Sequence, residues 1–250
     1  MNKFHNFDKT ILRAYDIRGV YNENLTKKDA FYLGKSFASY LNKNGKNKIS
    51  IGYDGRLSSP SLKESLIKGL KESGLEVYDI GIGPSPMLYF SIYHLNVDAG
   101  IMITGSHNPA NYNGFKIALR DRPFFGDDIL GLDKVNREQD FIDSEGIVKN
   151  IDLIDDYVDR VLKNSLAKNP ESKLKIAWDA GNGAAGEVMR LASLKIFTDN
   201  HLLYEKIDGN FPNHHPDPSN EHNLSDIKEL ISKNNLDLGI AFDGDGDRIG

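Results

Sequence analysis

The chain has 250 residues, 39% hydrophobic and 27% charged, with a formal net charge of −5 and no cysteine. This is the composition of a globular protein with one large domain or two ordinary ones, long enough to bury a core. It carries no basic excess for nucleic acid, no disulfide or thiolate metal site, no apolar run of membrane-span length and no signal-peptide core in residues 1–8. A cytoplasmic enzyme acting on small molecules, anionic ones included, is the expectation.

In chain order, residues 48–54 read as a strand. Pro60 opens a helix over 60–73, with Leu62, Leu66, Ile67 and Leu70 on one face and Gly74 as its stop. A strand over 75–80, a buried helix over 86–95 and a strand over 99–104 follow, the last running straight into Gly105-Ser-His-Asn-Pro109. A strand at 115–119 and a helix at 127–139 complete an α/β sandwich with a mixed or mainly parallel sheet. The pattern then restarts. A helix over 153–166 carries Ile154, Tyr157, Val158, Val161 and Leu162 on one side, and a turn at 169–172 leads to a strand at 173–178. A glycine-rich turn, a helix at 185–194 and a strand at 201–206 come next. Pro212, Pro216 and Pro218 exclude regular structure from 211–218. A helix at 224–233 and a strand at 236–242 end the series. We place a boundary at 150–155, giving units 1–153 and 154–250. The expectation is two consecutive α/β sandwich domains of similar architecture, with mixed sheets flanked by helices. In both, the chemically loaded loop follows the C-terminal end of a strand, where open α/β sheets place ligands.

The last eight residues hold Asp243, Asp245 and Asp247. Gly244 and Gly246 let the backbone bring alternate carboxylates to one point. Carboxylates this crowded repel one another, and oxygen-only ligands favour a hard cation such as Mg2+. An EF-hand loop would need Gly at its sixth position and Glu at its twelfth. Arg248 holds the sixth and the chain ends before the twelfth, so that reading is rejected. Ser106 stands on a glycine turn after a strand. A hydrolase Gly-x-Ser-x-Gly turn would need Gly where Asn108 stands, and His107, adjacent in sequence, is poorly placed as its base. A phosphoryl group on Ser106, neutralised by a metal in the aspartate loop, explains both segments with one site.

Thr104-Gly-Ser-His-Asn-Pro109 together with Asp243-Gly-Asp-Gly-Asp-Arg248 resembles the α-D-phosphohexomutase family, most of all its phosphomannomutase/phosphoglucomutase group. Ala14-Tyr-Asp-Ile-Arg-Gly19, Asn113-Gly-Phe-Lys116 and the 211–218 segment are similar to it too, in the expected order across nearly the whole chain. Phosphoglucosamine mutases usually have Ala where Gly105 stands. The resemblance implies that Ser106 is phosphorylated, donates its phosphoryl group to a hexose monophosphate and recovers the other phosphate from the bisphosphate. It implies Mg2+ held by Asp243, Asp245, Asp247 and a phosphate oxygen on Ser106, with glucose 1,6-bisphosphate or a similar compound as phosphorylating activator. Arg18, Lys116, Arg248 and His107 are its further catalytic candidates, Lys116 for general acid–base help. Tyr15 and Asn108 would form the substrate-binding wall.

Plainer readings stand beside these. Arg18 could be a surface salt-bridge residue, Lys116 a solvated lysine and His107 a residue bonded within its own loop. His214 and His215, without cysteines or a His-x-x-x-His pattern, read as part of a structured Pro-rich loop rather than a metal site. Gly181-x-Gly183-x-x-Gly186, with Asp199 beyond, leaves a dinucleotide-dependent enzyme as an alternative, although a tight turn explains the glycines equally well. A non-catalytic remnant or binding module is the other alternative. Family members have four domains, the third reading the sugar hydroxyls and the fourth binding the non-reacting phosphate. This chain resembles the first two and stops three residues after Asp247. The expectation is therefore an N-terminal half with little or no mutase activity alone. Its partners would be a hexose phosphate and a separate C-terminal half, with no nucleic acid and no membrane.

Overall fold

The computed structural model describes residues 5–165, 169, 171 and 173–250. The first sheet has six strands: β1 (Ile17–Val20), β2 (Lys48–Tyr53), β3 (Glu76–Ile82), β4 (Ala99–Ile103), β5 (Tyr112–Leu119) and β6 (Ile147–Asn150). Their order is β1-β5-β4-β2-β3-β6. β2 runs parallel to β3 and β4, and β3 parallel to β6, while β5 is antiparallel to both β1 and β4. The predicted mixed sheet is therefore present here.

Side-chain alternation sends the residues of β4 to two cores. Ala99, Ile101 and Ile103 of β4 join one with Leu33, Phe37, Leu62, Leu66, Ile129 and Leu132. Those partners come from α1 (Lys27–Lys43), α2 (Ser59–Lys71) and α4 (Asp127–Glu138). Met102, between them in sequence, joins the other core with Met87 and Leu88 of α3 (Ser85–His94) and with Ile80 and Leu153. The long α1 was not anticipated, although its start was legible. Thr26 and Asp29 form a capping box in which the Thr26 amide donates to Asp29 Oδ2 at 2.8 Å. Gly34 of α1 and Gly69 of α2 let the two helix backbones touch. A Cβ on Gly69 would lie 2.1 Å from the Phe31 carbonyl oxygen.

α5 (Ile154–Leu162) joins the halves. Leu153 and Tyr157 pack on the α3 side of the first sheet, and α5 also touches α6 (Gly186–Leu194). The predicted helix end at Leu166, and Pro170 and Ser172 of the predicted turn, lie outside the described residues. The second sheet has β7 (Lys175–Asp179), β8 (Asp199–Leu203) and β9 (Leu238–Ala241), with α7 (Ser225–Asn234) before β9. Its order is β8-β7-β9 and all three strands are parallel, with one antiparallel bridge between Phe242 and Ile249.

The two halves repeat one topology. β2-α2-β3-α3-β4 gives the strand order β3-β2-β4, and β7-α6-β8-α7-β9 gives β8-β7-β9. The loops after β4 and β9 are thus equivalent, and they carry Ser106 and the aspartate run. Among the described residues no helix is long and apolar enough to cross a membrane.

Candidate active site

Ser106 follows β4 with a φ of 51° and is buried at 2% exposure. A non-glycine residue holds this left-handed conformation only where its surroundings over-determine it. Here its amide donates to Thr104 Oγ1 at 2.7 Å, and its carbonyl accepts from Arg56 Nη2 at 2.7 Å. Arg18 Nη1 donates to the Gly105 carbonyl at 2.7 Å and Nη2 pairs with Asp16, while its buried Nε has no partner. Arg18 is therefore no surface ion-pair residue. Gly105 has a steric reason to be glycine: a Cβ there would lie 2.3 Å from the Arg56 guanidinium carbon.

The aspartate loop meets this turn across 137 positions of sequence, where Ser106 Oγ donates to Asp243 Oδ2 at 3.2 Å. The backbones also touch, since a Cβ on Gly244 would lie 2.4 Å from the Ser106 carbonyl oxygen. Asp243 Oδ1 accepts from the Asp247 and Arg248 amides at 3.0 and 3.1 Å. Asp245 Oδ2 accepts from Ser85 Oγ and from Lys116 Nζ at 2.6 Å, and its carbonyl accepts from the Ser85 amide at 2.8 Å. Lys116 Nζ also donates to Asp247 at 2.6 Å. Ligand oxygens of Asp243, Asp245 and Asp247 lie within 4.8 Å of one another.

Electrostatics follow from this crowding. Burial, then the neighbouring Asp245 and Asp247 charges, pushes Asp243 up to about 7. Burial would raise Asp245 as well, but the Lys116 ammonium outweighs it and the carboxyl is held below its usual range. Lys116 is the mirror case: burial opposes its charge, yet the two aspartates raise its pKa. The residues fit a hard divalent cation. Their donors are all oxygen, and Asp245 Oδ1 is buried with no hydrogen-bond partner.

A cleft of about 540 Å³ opens above the two loops. Tyr15, Arg18, Ser106, His107, Asn108, Lys116, Asp247 and Arg248 all line it, so eight sequence-predicted residues share one cavity. Asp243 and Asp245 lie fully buried beneath it. Tyr15 is 80% exposed, and the Arg248 guanidinium is held only loosely, 3.9 Å from Asp247. His107 departs from expectation. Adjacency argued against its reaching Ser106, but with Ser106 at positive φ its Nδ1 comes within 3.3 Å of Ser106 Oγ. Burial, and then the Arg248 charge, lowers its pKa, which favours the neutral ring.

Several residues that shape the site had no sequence signal of their own. Asp54, Arg56 and Ser85 hold the two loops from below. His214 Nε2 meets Asp179 at 2.9 Å, and His215 Nε2 donates to the His107 carbonyl at 2.6 Å, so the Pro-rich segment braces the Ser106 loop. The Gly181–Gly186 turn docks on the aspartate loop: the Ala184 amide donates to the Gly244 carbonyl at 3.0 Å. The Asn182, Gly183 and Gly186 amides are taken by Tyr204, Ala180 and Gly183 carbonyls, which leaves them unavailable to a pyrophosphate.

Two family models match the chain: phosphoglucomutase/phosphomannomutase alpha/beta/alpha domain I over residues 9–131, and domain II of the same family over residues 155–250. A phosphomannomutase/phosphoglucomutase of Pseudomonas putida is 40% identical over 242 residues, 96% of this chain and 51% of its own length. A phosphoglucomutase of Neisseria gonorrhoeae is 38% identical over 244 residues, 97% of this chain and 52% of its own. The crystal structure of a phosphoglucomutase/phosphomannomutase family protein from Burkholderia thailandensis superposes with a TM-score of 0.92 at 38% identity, over 98% of this chain and 54% of that one. The chain spans about half the length of the curated relatives it matches.

Proposed function

The chain belongs to the phosphoglucomutase/phosphomannomutase family, and from that premise we propose that these residues form the phosphoryl-carrying half of a hexose-phosphate mutase. The observation that carries the reading is the 3.2 Å contact between Ser106 Oγ and Asp243, at the floor of a cleft lined by the cationic Arg18, Lys116 and Arg248. A nucleophilic oxygen, a metal-fitting carboxylate set and three cations in one place suit phosphoryl transfer, which depends on positioning and charge neutralisation.

In this reading the phosphorus on Ser106 Oγ bonds to a free hydroxyl of a hexose monophosphate as its bond to the serine oxygen breaks. The hydroxyl proton passes to a base of the cleft, the departing Ser106 oxygen takes up a proton to become the hydroxyl, and the product is a hexose bisphosphate. Ser106 then takes the other phosphoryl group back, so that phosphate moves between positions 1 and 6. Asp243, Asp245 and Asp247 would hold a divalent cation such as Mg2+, with a phosphate oxygen on Ser106 as fourth ligand, and it would neutralise phosphoryl oxygens. Lys116, the general acid–base candidate that the resemblance implies, is kept charged by its aspartates, and its raised pKa suits it to neutralising phosphoryl oxygens more than to releasing a proton. His107, kept neutral by burial, is suited to accepting a proton beside Ser106. Arg18 shapes the loop through Gly105 and Asp16, while the loosely held Arg248 can swing to a phosphate. Tyr15 and Asn108 would wall the sugar side, and glucose 1,6-bisphosphate or a similar compound would prime Ser106. The proposed division is 1–153 for the phosphoserine unit and 154–250 for the metal unit, with a C-terminal half as partner.

The test is intact-mass measurement after incubation with Mg2+ and glucose 1,6-bisphosphate. The wild-type chain should gain one phosphoryl group that Ser106→Ala does not. A wild-type chain that gains none overturns the proposal.

A further inference from the structure

We infer that Arg56 is the positioning residue of the Ser106 loop, acting from beneath it without touching the cleft. Its side chain is fully buried. Nη2 donates to the Ser106 and Asn108 carbonyls at 2.7 and 2.6 Å, and Nη1 to the Pro109 and Tyr112 carbonyls at 2.5 and 3.1 Å. Nε meets Asp54 Oδ2 at 3.1 Å. Asp54 in turn accepts from the Gly105 amide at 3.0 Å, from the Arg56 amide at 3.1 Å and from Ser59 Oγ at 2.6 Å. One planar fork thus ties three carbonyls of the loop and that of Tyr112, where β5 begins, to one carboxylate just after β2. Its outer face lies 5.4 Å from the Phe211 ring of the second half, which closes the pocket around it.

Two physical facts separate this from an ordinary core ion pair. A buried guanidinium is expensive, and a core needing only volume would be served as well by an apolar side chain. Every donor of the fork not facing Asp54 goes to the one segment whose serine sits at positive φ. Arginine alone presents five donors in a fixed plane, whereas a lysine ammonium has three and no fork. The 2.3 Å approach at Gly105 shows that the turn is moulded on the guanidinium. The role in phosphoryl transfer rests on Ser106 being the phosphoryl carrier; the role in holding the loop does not.

The experiment uses the full chain with Arg56→Lys, Arg56→Met and Gly105→Ala, read in three ways. Amide hydrogen exchange over residues 105–112 should accelerate at least tenfold in all three, with the amides of β2 and α2 unchanged. Phosphoryl uptake by Ser106 should fall at least tenfold, and Arg56→Lys should not rescue it. The rise in melting temperature on adding Mg2+, which reports the aspartate loop, should be kept. Since the three atoms nearest to a Cβ on Gly105 all belong to the guanidinium, Arg56→Met combined with Gly105→Ala should be no worse than Arg56→Met alone. Wild-type exchange in Arg56→Met or rescue by Arg56→Lys overturns the inference. So does additivity of the double variant, or parallel loss of the Mg2+ response. Should the wild-type chain take up no phosphoryl group, the proposed function fails, and the exchange measurements still decide the role of Arg56.

Discussion

Replacing Gly244 by alanine tests the interlock of the two loops with a single methyl group. Its Cβ would lie 2.4 Å from the Ser106 carbonyl oxygen, where ordinary contact begins near 3.4 Å, so the backbones must part by about 1 Å. Gly244 is not among the glycines at positive φ, so alanine meets no conformational strain and the effect is steric alone. Separation would lengthen the 3.2 Å contact from Ser106 Oγ to Asp243 beyond hydrogen-bond range. A misplacement of about 1 Å costs on the order of a hundredfold in rate. Overpacking of this kind costs roughly 1–3 kcal/mol, which a domain of ordinary stability survives. The expected result is a folded protein, a few degrees less stable, whose Ser106 takes up phosphoryl groups about a hundred times more slowly. Gly131→Ala is the control. It sits in α4 with nothing within 4 Å of its Cβ, and should leave the rate unchanged while adding roughly 0.5–1 kcal/mol of stability. A Gly244→Ala rate close to wild type would refute the claim that the loops are held in contact at this point.

Two further outcomes follow from the charges. Asp243 binds its proton more tightly in the folded chain, with a pKa of about 7 against 3.8, so without metal the stability should fall as pH rises from about 4 to about 7. The loss is at most roughly 4 kcal/mol, and it should be largely absent in Asp243→Asn. Melting curves in chelator at pH 5 and pH 7.5 measure it, and equal pH responses in the two proteins would contradict it. Lys116→Met removes the ammonium 2.6 Å from both Asp245 and Asp247. The metal-free protein should lose about 3 kcal/mol, and Mg2+ should raise its melting temperature more than that of the wild type. A smaller Mg2+ response in the variant would count against the lysine as the carboxylates' counter-charge.

The sequence was most informative where residue chemistry is local. Alternating aspartates and glycines are a local pattern that fits a cation loop, and Ser106 on its glycine turn is legible in five residues. Helices with one apolar face, such as 60–73, declared themselves by periodicity. What stayed hidden had weak local signals. β1 and β6 span four residues each, and β6 is exposed throughout, so neither shows alternation. α1 begins at a capping box whose first-turn residues are charged, and its buried face includes Gly34, Lys35, Ser36 and Ser39, which blur the apolar stripe.

Sequence alone thus determined which groups are the candidates, because oxygen donors, a hydroxyl on a tight turn and nearby cations keep their chemistry wherever the chain carries them. Only the tertiary structure decided how they act together. Repeated use of one strand order brings the loops after β4 and β9 face to face. That meeting buries Asp243, which with its neighbouring aspartates raises its pKa, and sets Lys116 between two aspartates. It also turns Arg56, an arginine without a motif, into the support of the whole loop. The physical reason is range. Residue type and spacing report interactions within a few positions, whereas burial, charge coupling and steric fit here join groups as far as 160 positions apart.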